Sequence, residues 1–309
     1  MLENRQFLDS AKKDAVWGRG ITPPQVSIDK CIGCGQCVKD CPALVLELRD
    51  KKMQVVYGEG CIACGHCWAV CPEGAVVQQE VETDTSLKPG PGPAVTADAL
   101  QLLIRERRSV RLFKDKPVSK DQLIRIIDAG RYAPTGSNRQ DVNYVVVSNH
   151  QKVAELRSLV EGFMENSFKL MQNSAIAFFY GMKFGRSIVY SLRHYAMWYD
   201  FLKNKKDKHA YGPLPYGSAV IIAHGQSFDS VAPFNCSVAL YNCSLMAHSL
   251  GLGACFLGFV QAGANMDKKI KHWLGIPKEH QSYGAMVVGH PDVKYHRLIE
   301  RREPEIKWI

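Results

Sequence analysis

Apolar residues in the C-terminal two thirds of the chain predict alternating helices and strands. The spacing of Leu100, Leu103 and Ile104 predicts a helix over Ala97–Arg107 with one apolar face. The residues Ser119–Gln122 form a capping-box pattern, which predicts the start of a second helix. Short apolar runs predict five strands, at Val142–Val147, Ala175–Tyr180, Ala219–Ala223, Ala254–Val260 and Ala285–Gly289.

The stretch from Asn235 to Val260 contains no Asp, Glu, Lys or Arg and is long enough to span a bilayer. Polar residues within it, and Gly251 and Gly253, favour instead a buried helix that stops at Gly251 and is followed by a strand. The pattern therefore predicts an α+β domain, with a central sheet and long packed helices, one of them fully buried.

The N-terminal part of the chain has a different pattern, dominated by cysteines and two short strand-like runs. Residues 83–96 are rich in Pro and Gly, which is typical of a linker. We therefore expect an N-terminal domain over residues 1–82, a linker over 83–96 and a second domain over 97–309.

Eight of the eleven cysteines fall in two copies of the spacing Cys-x2-Cys-x2-Cys-x3-Cys-Pro. The spacing is the ligand pattern of bacterial ferredoxins with two [4Fe–4S] clusters, in which the fourth cysteine of each run serves the other cluster. Residues 26 to 80 resemble such a ferredoxin domain along their whole length. The pattern assigns Cys31, Cys34, Cys37 and Cys71 to the first cluster, and Cys61, Cys64, Cys67 and Cys41 to the second.

Zinc binding and disulfide formation are the two alternative uses of these cysteines. Paired CxxC motifs also bind zinc, but a tetrahedral zinc site needs neither the third cysteine nor the Cys-Pro that follows it. A disulfide framework would suit a secreted protein, and the first residues lack the apolar core of a signal peptide. We therefore expect a cytoplasmic protein that carries two iron–sulfur clusters.

The formal net charge is +9 and is carried by the second domain. Residues 1–80 hold nine Lys/Arg and ten Asp/Glu, so the net positive charge lies in residues 81–309. The Lys-rich run from Lys203 to Lys208 reads as a solvated loop, and neither a nucleic acid nor a membrane is expected as a partner.

Three short segments of the second domain carry candidate chemistry. Arg107–Arg111 (RRSVR) combines guanidinium groups with a hydroxyl, which suits a phosphate, although a basic helix end alone would explain two of the arginines. Ala133–Gln140 (APTGSNRQ) is a polar turn between a helix and a strand. Gly251–Phe259 (GLGACFLGF) follows the uncharged helix.

Together, at this spacing, the three segments and the ending from Gly289 to Leu298 resemble the nitroreductase family of FMN-dependent enzymes over residues 97–309. The resemblance implies that FMN contacts Arg107, Arg108, Ser109, Arg111, Pro134, Thr135, Ser137, Asn138, Gln140, Leu257, Gly258 and Arg297. In the family pattern, Leu257 and Gly258 present backbone N–H groups to the flavin ring. Asp141 stands where the family usually has Pro-Trp or similar, which puts the contact there in doubt.

The resemblance also implies an intertwined homodimer and a substrate-side cap formed by residues 181–216. The predicted function is reduction of a nitroaromatic, quinone or enone by FMN, with the clusters as an internal relay and ferredoxin or NAD(P)H as donor. No catalytic side chain is identified. The alternative is an electron carrier or redox-responsive module without a small-molecule substrate.

Cys236, Cys243 and Cys255 are expected to be core thiols, and His248 a core histidine.

Overall fold

The computed structural model describes residues 21–79, 89–203, 214–215 and 218–309. The start of the chain, the linker residues 83–88 and most of the Lys-rich run lie outside these residues. The described chain divides into two compact units. The first comprises residues up to Ala94 together with Thr135–Gln140, and the second comprises Val95–Pro134 and Asp141–Ile309.

The first unit is built from the two cysteine repeats and two small two-stranded sheets. Its helices are α1 (Gln36–Lys39) and α2 (His66–Ala69). Its strands are β1 (Gln25–Val26), β2 (Leu46–Arg49), β3 (Lys52–Val55) and β4 (Val76–Val77). Strands β2 and β3 form an antiparallel hairpin, and β1 pairs antiparallel with β4.

The two repeats have nearly the same local geometry. Each short helix begins after a glycine in the left-handed region, with φ 73° and ψ 4° at Gly35 and φ 73° and ψ −1° at Gly65. Gly33 also has a positive φ, and a Cβ there would lie 2.2 Å from the carbonyl oxygen of Lys51. Glycine is therefore required at position 33 both by the turn and by the close approach of the β2–β3 hairpin.

The second unit is a four-stranded sheet with helices on both faces. The strands are β5 (Asn143–Val147), β6 (Ser218–Gln226), β7 (Gly253–Phe256) and β8 (His280–Gly289). Their order is β5-β6-β8-β7, and every neighbouring pair is antiparallel. Alternate residues of β6 enter different cores, Val220 and Ile222 on one face and Ala219 and Ile221 on the other.

Eight helices of the second unit lie among the described residues. In chain order they are α3 (Ala97–Glu106), α4 (Lys120–Arg131), α5 (His150–Gln172), α6 (Ser174–Phe184), α7 (Arg186–Lys203), α8 (Ala232–Ser249), α9 (Gly258–Met266) and α10 (Lys268–Trp273). The capping box at Ser119 is present, with hydrogen bonds in both directions between Ser119 and Gln122. The predicted α+β class is confirmed.

Two of the five strand predictions need correction. Ala175–Tyr180 is part of α6, because the side chain of Asn173 accepts from the amides of Ala175 and Ile176 and so caps a helix there. The predicted strand Ala254–Val260 ends at Phe256, and a helix begins at Gly258. An apolar run of this length fits either element, so periodicity could not separate them.

The uncharged stretch forms helix α8 followed by strand β7, as predicted, but α8 is not fully buried. Asn235 and Leu240 are inaccessible to solvent, whereas Phe234 is 63 % exposed and Tyr241 is 37 % exposed. One side of the helix packs on the sheet and on α4, and the other side is open in this chain. No helix in the described part of the chain is long and apolar enough to cross a bilayer.

The buried end of β6 carries a histidine pair. The Nδ1 atoms of His224 and His280 lie 2.9 Å apart, and only 7 % of His224 is exposed. Burial, together with the nearby His280 and Lys271, lowers the pKa of His224 from 6.5 to about 4. The folded protein therefore holds His224 neutral at a pH where an unfolded chain would protonate it.

We expect this histidine to make the fold acid-sensitive between pH 6.5 and pH 4. Below pH 6.5 the unfolded chain takes up a proton at this histidine, whereas folded His224 stays neutral. The free energy of unfolding therefore falls as the pH falls, by at most about 3 kcal/mol. His224→Gln should flatten this slope in urea unfolding midpoints measured against pH. The exposed His150→Gln should keep it. Equal slopes in wild type and His224→Gln would contradict the assignment.

Candidate functional site

The first unit contains two cavities, each lined by four cysteines. Cys31, Cys34, Cys37 and Cys71 line one cavity. Cys41, Cys61, Cys64 and Cys67 line the other. Each cavity therefore takes three cysteines from one repeat and the fourth from the other repeat, which is the crosswise grouping that the ferredoxin pattern implies.

The thiols within each group are close enough to affect one another electrostatically. The pKa of Cys67 is raised to about 11, first by burial and then by the sulfurs of Cys64, Cys61 and Cys41. Burial also raises the pKa of Cys37, with smaller contributions from Cys34 and Cys71. Bringing four thiolates together in a partly buried place is unfavourable without a cation, and iron would remove that cost.

Backbone amides already point at some of these sulfurs. The amide of Ala75 donates to Cys71 Sγ over 3.2 Å, and the amide of Ala63 donates to Cys61 Sγ over 3.4 Å. A backbone hydrogen bond from Met53 is the main reason that the pKa of Cys31 is lowered. Such N–H donors favour the thiolate form and are typical around iron–sulfur clusters. The donor sets fit two [4Fe–4S] clusters.

Among the described residues, no group of three or more His, Cys, Asp or Glu could hold a single metal ion. The cysteines instead surround each cavity. This arrangement suits a cluster of several iron and sulfide ions, whose ligands approach from different directions.

In the second unit, the segment Arg107–Arg111 meets strand β7 at Ser109 and Val110. Ser109 forms a parallel bridge with Ala254, and the amide of Val110 donates to the carbonyl of Ala254 over 3.0 Å. A Cβ on Gly253 would lie 2.6 Å from Val110 Cβ, so glycine allows the segment to dock this closely.

The predicted phosphate-binding residues of this segment fall into two groups, according to the neighbours of their side chains. Arg107, Ser109 and Arg111 all influence the thiol of Cys255, whose pKa is raised chiefly by burial and is lowered in part by these three residues. The structure thus brings these three together at β7. Arg108 faces the other way, with its guanidinium 5.5 Å from the ring centre of Tyr295.

Arg108 and Arg297 line one open cavity of about 490 Å³, which is within the usual range of about 300–1,000 Å³ for small-molecule sites. His248 also lines it, with its Nε2 3.7 Å from Glu106 Oε2. The expectation of a core histidine is therefore wrong, because about a third of the His248 side chain is exposed beside this cavity. Cys236, Cys243 and Cys255 are buried as predicted.

Polar groups in this region remain available for a ligand. Among the described residues, buried Arg107 Nε has no hydrogen-bond partner, which is costly unless a ligand or water satisfies it. Gly258 is exposed and opens helix α9, where the first amides lack helical partners. Leu257 requires a correction, because its amide donates to the carbonyl of Ala285 over 2.8 Å and is not free to meet a flavin.

The polar turn predicted to contact flavin lies partly in the first unit. Pro134 is exposed and ends a part of the second unit, whereas Thr135, Ser137, Asn138 and Gln140 group with the cysteine loops. Thr135 Oγ1 accepts from the amide of Gln140 over 3.0 Å, which closes the turn. The carboxamide of Asn138 donates to the carbonyl oxygens of Ile62 and Ala63, over 3.2 and 2.9 Å.

Sequence reasoning missed two residues that hold the cysteine loops. Lys52 donates from Nζ to the carbonyls of Ile28 and Cys31, over 2.8 and 2.5 Å. Ala63, inside the second loop, has a positive φ of 48° although it is not glycine. A lysine in a hairpin and an alanine in a loop carry no local signal, and only the fold gives them these roles.

Comparison with known families agrees with this geometry. The family model described as "Nitroreductase family" matches residues 104–290, and the model described as "4Fe-4S dicluster domain" matches residues 30–76. The chain belongs to the nitroreductase family, and it carries an N-terminal 4Fe-4S dicluster domain. It is a flavin oxidoreductase. No curated protein matches the sequence.

The solved structures to which the chain is similar include three nitroreductases. A nitroreductase with bound FMN from Bacteroides fragilis is 21 % identical, covers 68 % of this chain and 98 % of its own, and gives a TM-score of 0.49. An FMN-dependent nitroreductase from Clostridium difficile is 19 % identical, covers 69 % of this chain and 100 % of its own, and also gives 0.49. A nitroreductase with bound FMN from Desulfitobacterium hafniense is 20 % identical, covers 67 % and 97 %, and gives 0.45.

The crosswise cavities predict which cluster each cysteine supports. Protein purified without oxygen should contain about eight iron per chain. Cys41→Ala should remove the cluster of the second repeat, although Cys41 belongs to the first repeat, and should leave about four iron. Iron assay and electron paramagnetic resonance (EPR) of the reduced protein measure both.

Cys243→Ala is the matched control, because Cys243 is a buried thiol outside both cavities. It should retain the full iron content. Loss of the same EPR signal in Cys41→Ala and in Cys31→Ala would contradict the crosswise grouping.

Proposed function

We propose that this protein is an FMN-dependent oxidoreductase that reduces a small organic acceptor, of nitroaromatic, quinone or enone type, and receives electrons through its own [4Fe–4S] clusters. The observation that carries the proposal is the presence, in one chain of the nitroreductase family, of two cavities each lined by four cysteines. The clusters would carry single electrons. FMN, when bound, accepts electrons singly and delivers them as a hydride equivalent from its N5 atom.

The residues around β7 support a site for the FMN phosphate. Arg107, Ser109 and Arg111 all lie close enough to Cys255 to lower the pKa of its thiol, so two guanidinium groups and a hydroxyl lie in one region. Guanidinium groups bind phosphate through paired, charge-assisted hydrogen bonds, and the unsatisfied Arg107 Nε would gain a partner. Cys255 beneath them is held as a neutral thiol by burial, so it adds no opposing negative charge.

The remaining predicted FMN contacts stay proposals. Gly258 would offer its exposed amide to the flavin ring, and Arg108 and Arg297 would supply positive charge from the neighbouring cavity. Pro134, Thr135, Ser137 and Gln140 would lie against the flavin. Leu257 would contribute only its buried side chain, since its amide is bonded to Ala285.

Catalysis would then depend on holding FMN and stacking the acceptor over it. We assign no side-chain acid, and water would supply the protons.

We further propose a homodimer with a reducing, cytoplasmic location, which suits exposed and half-buried cluster cysteines. The donor would be reduced ferredoxin or NAD(P)H, and residues 181–216 would cap the substrate side, although part of that segment lies outside the described residues.

Anaerobic flavin titration tests the proposal. Protein loaded with iron and FMN should show flavin absorbance that bleaches with reduced ferredoxin, NADH or NADPH, and that returns when a nitroaromatic, a quinone or an enone is added. Failure to bind FMN after reconstitution would overturn the assignment. Flavin that bleaches but is not reoxidised by acceptors of any of the three classes would identify an electron carrier instead of an enzyme.

We expect Arg107→Ala to weaken FMN binding about 10- to 100-fold, since a buried charged donor to phosphate is lost. Arg125→Ala is the matched control, because Arg125 is an exposed arginine on helix α4, and it should bind FMN as wild type does. Fluorescence titration of apoprotein with FMN measures both. Equal affinity of the two variants would remove Arg107 from the phosphate site.

A further inference from the structure

The first unit contains a direct link between the polar turn Thr135–Gln140 and one of the two cysteine loops. Both amide hydrogens of Asn138 are used on the loop that runs from Cys61 to Cys64, at the carbonyls of Ile62 and Ala63. These groups are about 75 residues apart in the sequence, so only the fold brings them together. Asn138 was expected to contact FMN, but its donors are directed to the cysteine loop.

Both partners of this link have strained backbones. Ala63 has a φ of 48°, and Ser137, Asn138 and Gln140 have φ values of 51°, 53° and 50°. A residue other than glycine rarely adopts this conformation, which persists only when its surroundings fix it. The hydrogen bonds from Asn138 join these two loops directly.

The first cysteine loop is held differently. Its backbone carbonyl at Cys31 accepts from Lys52, a residue of the ferredoxin-like repeat itself. The second loop is instead hydrogen-bonded to Asn138 of the turn Thr135–Gln140, which is predicted to contact flavin. The two clusters are therefore inequivalent in their surroundings, although their ligand spacings are the same.

We propose that the cluster held by Cys41, Cys61, Cys64 and Cys67 is the one that passes electrons to the flavin, and that Asn138 is the positioning residue that fastens its loop to the flavin-binding turn. The proposal rests on the proposed function, because it requires FMN against Thr135, Ser137 and Gln140. Electron tunnelling slows steeply with distance, so a cluster whose loop is tied to the flavin-binding turn has the faster route.

The electron balance is simple. Each transfer oxidises one reduced cluster by one electron. Two transfers, with two protons taken from water, convert oxidised FMN to its dihydro form. A one-electron donor of the ferredoxin class then reduces the clusters again.

Asn138→Gly tests the proposal, because glycine keeps the φ of 53° without strain and removes only the carboxamide. In variant protein with full iron and FMN content, reduced ferredoxin should bleach the flavin about tenfold or more slowly than in wild type, the size of effect typical of lost outer-shell contacts. Stopped-flow absorbance measures the rate. EPR should show a change in one cluster signal and none in the other.

Two control variants distinguish a specific effect of Asn138 on the second cysteine loop from a general loss of structure. Asn143→Ala removes a carboxamide that donates to the backbone carbonyl of Asp141. This carboxamide is hydrogen-bonded to neither cysteine loop. It should leave the flavin rate and both EPR signals unchanged. Lys52→Gln disturbs the carbonyls of the first loop, so it should change the other EPR signal and slow flavin reduction less than Asn138→Gly does.

The possible results distinguish a failure of this inference from a failure of the proposed function. If FMN binds and clusters are reduced, but Asn138→Gly bleaches flavin at the wild-type rate, the proposed function stands and this inference is overturned. A larger slowing in Lys52→Gln than in Asn138→Gly would point to the first cluster and overturn it as well. If FMN never binds, the proposed function has failed, and with it the flavin step invoked here.

A second variant covers the case in which Asn138→Gly folds poorly or loads less iron. Asn138→Ser keeps a short hydroxyl that can donate one hydrogen bond in place of two. A flavin rate between those of wild type and Asn138→Gly, per iron-loaded chain, supports the proposal. A rate equal to wild type overturns it.

Discussion

The gathering of four cysteine sulfurs around each of two cavities is the constraint on which the first unit depends. Four of the eight sulfurs, those of Cys37, Cys41, Cys61 and Cys67, are buried in the same core as its few apolar side chains. A core this small gains little from apolar burial alone, and its thiols repel one another when ionised. Iron binding would supply the missing stability, so that folding of this unit and loading of its clusters become one process.

The second unit depends on a different constraint, a sheet that is buried on both faces. Burial on both faces fixes β6 and β8 firmly, and it leaves the outer strand β7 as the place where a further segment can dock. The backbone of Ser109–Val110 occupies that edge. Arg107, Ser109 and Arg111 lie near the thiol of Cys255, whereas Arg108 lies against the ring of Tyr295. The proposed phosphate site therefore depends on the docking of this segment at the edge of the sheet.

Much of the fold could be predicted because its signals are local. The capping box at Ser119, the uncharged helix before Gly251 and three of the five strands are where the sequence places them. The apolar run Ala175–Tyr180 was assigned to a strand, because its composition does not reveal that Asn173 caps a helix. The burial of α8 was overestimated for a related reason, since absence of charge does not show which side of a helix meets a neighbour.

The sequence by itself determined the chemistry of the clusters and the family of the second domain. The cysteine spacing, including the fourth cysteine that serves the other cluster, is a property of short segments. It can therefore be recognised without knowledge of the fold. Only the tertiary structure decided which partners the polar groups find. It bonds the Leu257 amide to Ala285, it leaves Arg107 Nε unsatisfied among the described residues, and it directs Asn138 to the loop of Ile62 and Ala63. These contacts join residues far apart in sequence, and their geometry is fixed by packing that no local pattern records.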